Sequence, residues 1–347
     1  MTTRNPKRMR QVSIIAVLLL ASFTGFYSCQ KNKAPMEEGQ AEVLKPSGSD
    51  RLFSVANVFY TADGKSVEAW FYESPQVFSF SATGADARAN FEALKTAKDN
   101  NVPVNVRLSE GSGDNIKLVI PATAEQKSGF TAEMSKREAA VQVASPEQVA
   151  QQGTNNLVGV VPNVATLNTI FNKIKDQCCK LPGPYTYGQC VPFQFVADGC
   201  YARAHKMRQI IEDFYGYTSY KVFNYACNGS GTLSVSATLW NNNCCVKWWY
   251  HVASYVYVQV GSSQVAYLID PSMFTGPVSI SSWVSAQKNV GCGYNGSAQG
   301  QVYYSSNAYA PSSLNTATCT LVPFADNTYT SANSTCASYA PKQGCSF

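Results

Sequence analysis

The chain has 347 residues, enough for two domains and a sizeable core. Its formal net charge of +5 is unevenly spread: Arg4, Lys7, Arg8 and Arg10 open the chain, residues from Gln30 to Asn156 hold 13 basic against 16 acidic groups, and those from Leu157 onward hold 10 against 6. No cluster of Lys and Arg interleaves with aromatics, so the chain carries no nucleic-acid footprint, and the opposite charges of its middle and C-terminal parts favour their mutual attraction.

In chain order, a basic segment precedes an apolar run from Val12 to Ala21, small residues and Cys29. The run is too short for a membrane span, and residues 1–29 read as a signal peptide. Tyr27-Ser28-Cys29 is also a loose match to a bacterial lipoprotein cleavage site, so a lipid-anchored precursor and an ordinary signal peptide both stay open. Residues 30–50 are polar and read as a flexible tether. Residues 51–125 read as a small α+β domain. Ser66–Tyr72 and Val102–Leu108 alternate as strands do. Asp86–Asp99 between them fits an amphipathic helix with Ala89, Phe91, Leu94 and Ala97 on one face. Residues 126–156 read as a linker holding a helix or two, and as a site for proteolytic nicking.

Composition changes sharply at about Leu157. Asn163 is placed to cap a helix carrying Val164, Leu167, Ile170, Phe171 and Ile174. A cysteine-bearing Pro/Gly loop follows, from Cys178 to Cys190. The next helix is expected to begin at Cys200, with Asp198 or Gly199 as its cap and Ala204, Met207 and Ile211 as its buried stripe. Val252–Val260 and Gln264–Asp270 read as strands joined by a turn at Gly261-Ser262-Ser263. The Ser/Asn/Tyr/Gly-rich remainder is expected to be irregular and cross-linked. There is no internal repeat.

Of 12 cysteines, Cys29 lies in the signal segment and the other 11 fall between Cys178 and Cys345. That density in an exported chain reads as a disulfide framework. Eleven is odd, so five bridges would leave one thiol free. Zinc is a weak rival, because the spacings are scattered and the chain has only two histidines.

Cysteine catalysis needs a thiolate, a base that accepts and returns its proton, and a group that fixes the base. Cys200 is the best nucleophile. At a helix N-terminus, unpaired N–H groups and the positive dipole end favour an anion and offer part of an oxyanion hole. Being one more disulfide partner is the alternative. His205, five residues along the same helix, points about 140° away from Cys200 and reads as a packed or solvent-facing residue. His251 is therefore the expected base, and Asp270, ending the next apolar strand, its orienting acid. One count stands against that pair. A tight hairpin at Gly261–Gln264 would set Asp270 opposite about Tyr255, ~13 Å along the sheet from His251, so a bulge or another connection would be needed. Trp248, Trp249 and Tyr250 line a substrate slot on one reading and belong to the core on the other. Gln76, in the extended Ser74-Pro75-Gln76-Val77-Phe78, is either a pseudo-substrate or an ordinary surface glutamine.

At these residues the chain resembles the bacterial protein-glutaminase family, secreted enzymes that deamidate glutamine side chains within proteins. The matching stretches are Val161–Asn168, Asp198–Ile210, Tyr250–Ala253, Ile269–Ser272 and Val302–Tyr304, with a fainter match at Pro103-Val104 and Ser145-Pro146-Glu147. The resemblance implies a transglutaminase-like, papain-related α+β core, with an antiparallel sheet and a catalytic helix, carrying a Cys200-His251-Asp270 triad. It implies a pro-region (30–156) that covers the site until a protease removes it, and a mature catalytic domain (157–347). It implies no metal or organic cofactor, protein substrates with exposed glutamine, and a monomer. The doubled cysteines Cys178-Cys179 and Cys244-Cys245, and an Asn/Ser/Thr-rich insertion around Cys227–Asn243, depart from the family pattern. A transglutaminase, a papain-like protease and a secreted binding module without catalysis remain as rivals.

Overall fold

Alternating apolar residues build a first sheet, shown in a computed structural model that describes residues 50–111, 113–139, 157–227, 231–296 and 299–345. Strands β1 (Arg51–Tyr60), β2 (Ser66–Phe71), β3 (Ser74–Ser81), β4 (Pro103–Leu108) and β5 (Ile116–Pro121) pair antiparallel, and helix α1 (Ala87–Asp99) packs on them. Phe53, Phe71, Phe78, Leu94 and Val106 form the core between helix and sheet. Each large apolar side chain so buried contributes about 1.5–3 kcal/mol. The two expected strands and the helix are present, with one change of face. Ala87, Asn90, Leu94 and Ala97 are buried whereas Ala89 is exposed, because Asn90 turns inward to bond Val119 N–H and Lys117 O on β5. Helix α2 (Ala124–Ala139) follows. The expected signal segment, the tether up to residue 49 and the linker beyond residue 139 lie outside the described residues.

This sheet does not stop at β3. Its order is β5-β4-β1-β2-β3-β8-β7, and β7 (Leu233–Ala237) and β8 (Cys244–Trp248) come from the C-terminal part. The seam is short: Gln76 pairs with Trp248, and Trp249 N–H donates to Pro75 O at 2.9 Å. Ala56, Trp70 and Val77 join the core of the C-terminal part, where Trp70 stacks on Trp249 with ring centroids 5.8 Å apart.

A second antiparallel sheet runs β10-β9-β6-β11, from β6 (Tyr220–Ala226), β9 (Tyr250–Val260), β10 (Ser263–Ile269) and β11 (Gln299–Ser305). Trp249 is the corner between the sheets. Its N–H faces Pro75 and its carbonyl accepts from Ala226 N–H. Against this sheet pack α3 (Val164–Lys175) and α4 (Cys200–Gln209), the latter running into a π-helical turn, Ile210–Phe214. Asn163 caps α3 as expected, accepting from Thr166 N–H at 2.8 Å. Leu167, Ile170, Phe171 and Ile174 are buried, while Val164, at the open first turn, is exposed. Ala204, Met207 and Ile211 are buried as expected, but so is nearly all of α4, which is enclosed on every side.

The C-terminal remainder is not irregular. It forms β11, the hairpin β12 (Ala308–Asn315) with β13 (Thr320–Ala325), and helices α5 (Ile280–Ala286) and α6 (Thr330–Tyr339). Tyrosines do much of the burying that aliphatic residues usually do. Tyr304 and Tyr309 are buried, and the Tyr304 hydroxyl reaches Leu321 O. The expected five disulfides are also corrected. Among the described residues there are four, Cys179–Cys190, Cys227–Cys319, Cys244–Cys345 and Cys245–Cys292. Three thiols stay free: Cys178, Cys200 and Cys336. Cys178 and Cys336 are fully buried in the main apolar core, where a thiol behaves as a small hydrophobe.

Candidate active site

Cys200 opens α4, as expected, and it is 1% exposed. The turn before it depends on Gly199. That residue has φ +78°, and a Cβ there would lie 2.8 Å from the Tyr339 ring. Val252, the residue after His251, offers its backbone N–H to the Cys200 thiol. The helix is held to β9 further on by the Ser254 hydroxyl, which donates to Ala204 O at 2.9 Å. Burial pushes the Cys200 thiol up to about 12, against the opposing pull of Arg203 and the Val252 N–H.

His251 and Asp270 are in contact. His251 Nε2 lies 2.8 Å from Asp270 Oδ2, and both groups are buried. The sequence-based separation of ~13 Å is corrected by register. The turn is two residues, Gly261-Ser262, with Val260 opposite Ser263 and Ile269 opposite Ser254. Continuing that register puts Asp270 level with Ala253. Residues two apart share a face, so Asp270 and His251 are diagonal neighbours, close enough for side chains to meet.

Asp270 is fully engaged. Oδ2 also accepts from Trp283 Nε1 at 3.0 Å, and Oδ1 accepts from the Ser272 hydroxyl and Ser272 N–H. Burial alone would raise its pKa, but the bonds from His251 and Ser272 overturn this and hold it below the usual carboxylate value. The His251 pKa is lowered by burial, against the opposing pull of Asp270. With Nε2 donating to the carboxylate, Nδ1 is the basic nitrogen. It is buried and has no hydrogen-bond partner among the described residues. The thiol and the imidazole thus sit at one site without a hydrogen bond between them.

The aromatic trio divides its work. Trp248 stacks on the His251 ring, centroids 4.3 Å apart, and donates to Val196 O. Trp283 stacks on the same ring at 5.3 Å. Trp249 donates through Nε1 to Ser74 O at 2.7 Å and Phe71 O at 3.1 Å. Tyr250 is buried and packs on Trp249 edge to face.

Segment 73–76 lies over this site. Tyr201 hydroxyl bonds Glu73 O at 3.3 Å, Trp249 takes the carbonyls of Ser74 and Pro75, and the Ser74 side chain hydrogen-bonds to Asp198. Gln76 is on a strand, as expected. Its Oε1 is buried without a hydrogen-bond partner, and the residue also lines a groove with Glu68, Asp114 and Lys247.

His205 is committed elsewhere. Nε2 lies 2.7 Å from Thr328 O, so it carries the proton, and Nδ1 accepts from Lys221 Nζ at 2.8 Å. Burial, then Lys221 and Arg208, hold it neutral far below the usual histidine value. Sequence reasoning missed Ser272, Trp283 and Asp198. Ser272 had a local signal, since Asp-Pro-Ser is a turn in which an aspartate accepts bonds from the residue two ahead. Trp283 had none, being brought in by α5.

The family model described as "Glutaminase" matches residues 167–287. A crystal structure of pro-protein-glutaminase is similar over 85% of this chain and 93% of its own, with 29% identity and a TM-score of 0.64. A crystal structure of a mutant of pro-protein-glutaminase is similar over 86% and 95%, with 29% identity and a TM-score of 0.67. No curated protein matches the chain.

Alkylation tests the burial of Cys200. With the thiol buried and its pKa near 12, iodoacetamide at pH 8 is expected to label Cys200 at least ~100-fold more slowly in the full chain than after residues 50–139 are released, because the thiolate is the reactive form. Equal rates in the two forms would contradict the shielding described above.

Proposed function

The chain belongs to the protein-glutaminase family, and we propose that it hydrolyses the side-chain amide of protein-bound glutamine to glutamate and ammonia through a thioester on Cys200. The observation that carries this reading is the buried His251–Asp270 pair set beside the helix start at Cys200, with the basic Nδ1 left free.

The Cys200 thiol passes its proton to His251 Nδ1, and the sulfur bonds to the carboxamide carbon. The displaced C=O electrons rest on oxygen, held by backbone N–H groups at the start of α4, that of Cys200 among them. When the C=O reforms, the C–N bond breaks. The nitrogen takes the proton from Nδ1 and leaves as ammonia. A water then gives a proton to Nδ1 as its oxygen attacks the thioester carbon, the C–S bond breaks, and the proton returns to sulfur. Asp270 keeps the other proton on Nε2 and steadies the imidazolium. Trp248, stacked on the ring, fixes its plane, while Trp249 and Tyr250 line the approach.

Latency and export belong to the same proposal. Residues 30–156 act as the pro-region, with segment 73–76 lying in the cleft and Gln76 imitating a substrate glutamine. Cleavage by a protease in residues 140–156 frees the mature domain, 157–347. The absent Cys200–His251 bond fits a zymogen whose site is closed over its own chain. The signal-like segment 1–29, with or without a lipid anchor, and four disulfides fit export to an oxidising compartment.

Ammonia release from casein, beside a Cys200→Ala control, tests the activity. The nicked chain is expected to release ammonia without cross-linking or cutting the casein, at least about tenfold faster than the intact chain, and the control to release none. Cross-links would favour transglutamination, and cut casein a protease. The role of Gln76 has its own test. A nicked Gln76→Ala chain is expected to lose its bound pro-region at a concentration about tenfold above that at which the parent does, a difference of ~1.4 kcal/mol. Unchanged retention would leave the block to Ser74 and the backbone, and remove Gln76 from the proposal.

A further inference from the structure

Asp198 is buried, 2% exposed, two residues before Cys200. It does not cap the helix in the usual way, because its Oδ1 accepts from the neighbouring Gly199 N–H rather than from the first turn of α4. No cation bonds its carboxylate among the described residues. Arg203, the nearest candidate, sends Nη1 to two backbone carbonyls, Phe195 O at 2.7 Å and Asp198 O at 2.5 Å. The carboxylate is held by three neutral donors: Gly199 N–H, the Tyr339 hydroxyl at 3.0 Å and the Ser74 hydroxyl. A buried carboxylate without a bonded cation costs several kcal/mol, and such groups cluster at functional sites.

The third donor is the informative one. Ser74 belongs to the segment that covers the cleft, and its backbone is gripped on both sides by Tyr201 and Trp249. When that segment leaves, Asp198 loses the Ser74 hydroxyl and has an acceptor position open toward the space in front of Cys200. An amide offers an N–H donor to such a position, and a carboxylate offers none. We propose that Asp198 is the residue that selects substrate over product, accepting a hydrogen bond from the side-chain NH₂ of the bound glutamine and repelling the carboxylate of the glutamate formed from it.

This inference rests on the deamidase reading and deepens it. The accepted N–H fixes which side of the carboxamide is nitrogen, so the carbonyl oxygen turns toward the backbone donors of α4. After hydrolysis, two carboxylates share one buried site and cannot both stay ionised there, which drives the product out. The groups facing Asp198 are Ser74 from β3, Cys200, Tyr201 and Arg203 from α4, Tyr250 from β9, Tyr339 from α6 and, beyond it, Lys342. Burial, against bonds from Gly199, Ser74 and Tyr339, raises the Asp198 pKa to about 6. Once protonated, the carboxyl has a proton it can donate, so glutamate is tolerated at lower pH.

The test is binding without turnover. Two capped peptides, identical except for a central Gln or Glu, are titrated calorimetrically into nicked, pro-region-free protein carrying Cys200→Ala. At pH 7.5 the Gln peptide is expected to bind at least about tenfold tighter, and adding Asp198→Asn is expected to reduce the preference to about threefold or less, since Asn offers both a donor and an acceptor. The preference is also expected to shrink in the parent as pH is lowered and the Asp198 carboxyl takes up a proton. That arm decides the matter if Asp198→Asn fails to fold by thermal melting. A preference that survives both changes, or no preference in the parent, would overturn the proposal. Failure of the deamidase reading shows separately, as no ammonia from nicked chain with Cys200 intact.

Discussion

The hydrogen bond between His251 Nε2 and Asp270 Oδ2 decides how the rest of the site is arranged. Both groups are taken out of water, and the buried carboxylate is tolerable only because its remaining lone pairs are satisfied. Ser272 and Trp283 do this for the carboxylate, and Trp248 and Trp283 enclose the ring. The imidazole then has one free nitrogen and one direction in which to offer it. The two-residue turn at Gly261-Ser262 is part of the same constraint. Slipping the β9–β10 register by one residue would put Asp270 on the opposite face from His251, because side chains alternate along a strand.

The second constraint is how the site is covered. The sheet of the N-terminal part continues through β3 into β8, so main-chain pairing and the Trp70–Trp249 stack carry the contact. Of the opposite charges noted in the two parts of the sequence, Lys247 acts on Glu68 across this seam. Strand addition uses the edge of β8, which a sheet must otherwise protect. It also explains why the thiol is so strongly disfavoured as an anion: the cover removes the water that would solvate it.

Much of this was legible in the sequence. Cys200 stood out because it opens a helical stretch, where unpaired N–H groups and the positive dipole end favour a thiolate. His251 followed by elimination of His205, and the structure gives that elimination a cause, since both nitrogens of His205 are spent on Thr328 and Lys221. Asn163 and the α3 stripe were plain from spacing. Register was not legible, because one residue in the turn changes every pairing and Gly-Ser-Ser permits more than one turn. The strands β11 to β13 were hidden by their Ser, Asn and Tyr content, which reads as loop until buried tyrosines supply the core. The free Cys178 and Cys336 could not be told from bridged cysteines, since count and spacing say nothing about which thiols face apolar neighbours.

Mass spectrometry of the acid-quenched, nicked protein after brief exposure to a glutamine-containing peptide tests the account most directly. The expected result is an adduct on Cys200 equal to the peptide less ammonia, absent from a His251→Ala variant and from the un-nicked chain. An adduct on another cysteine, or none at Cys200 while ammonia is being released, would contradict a thioester formed at the helix start beside His251.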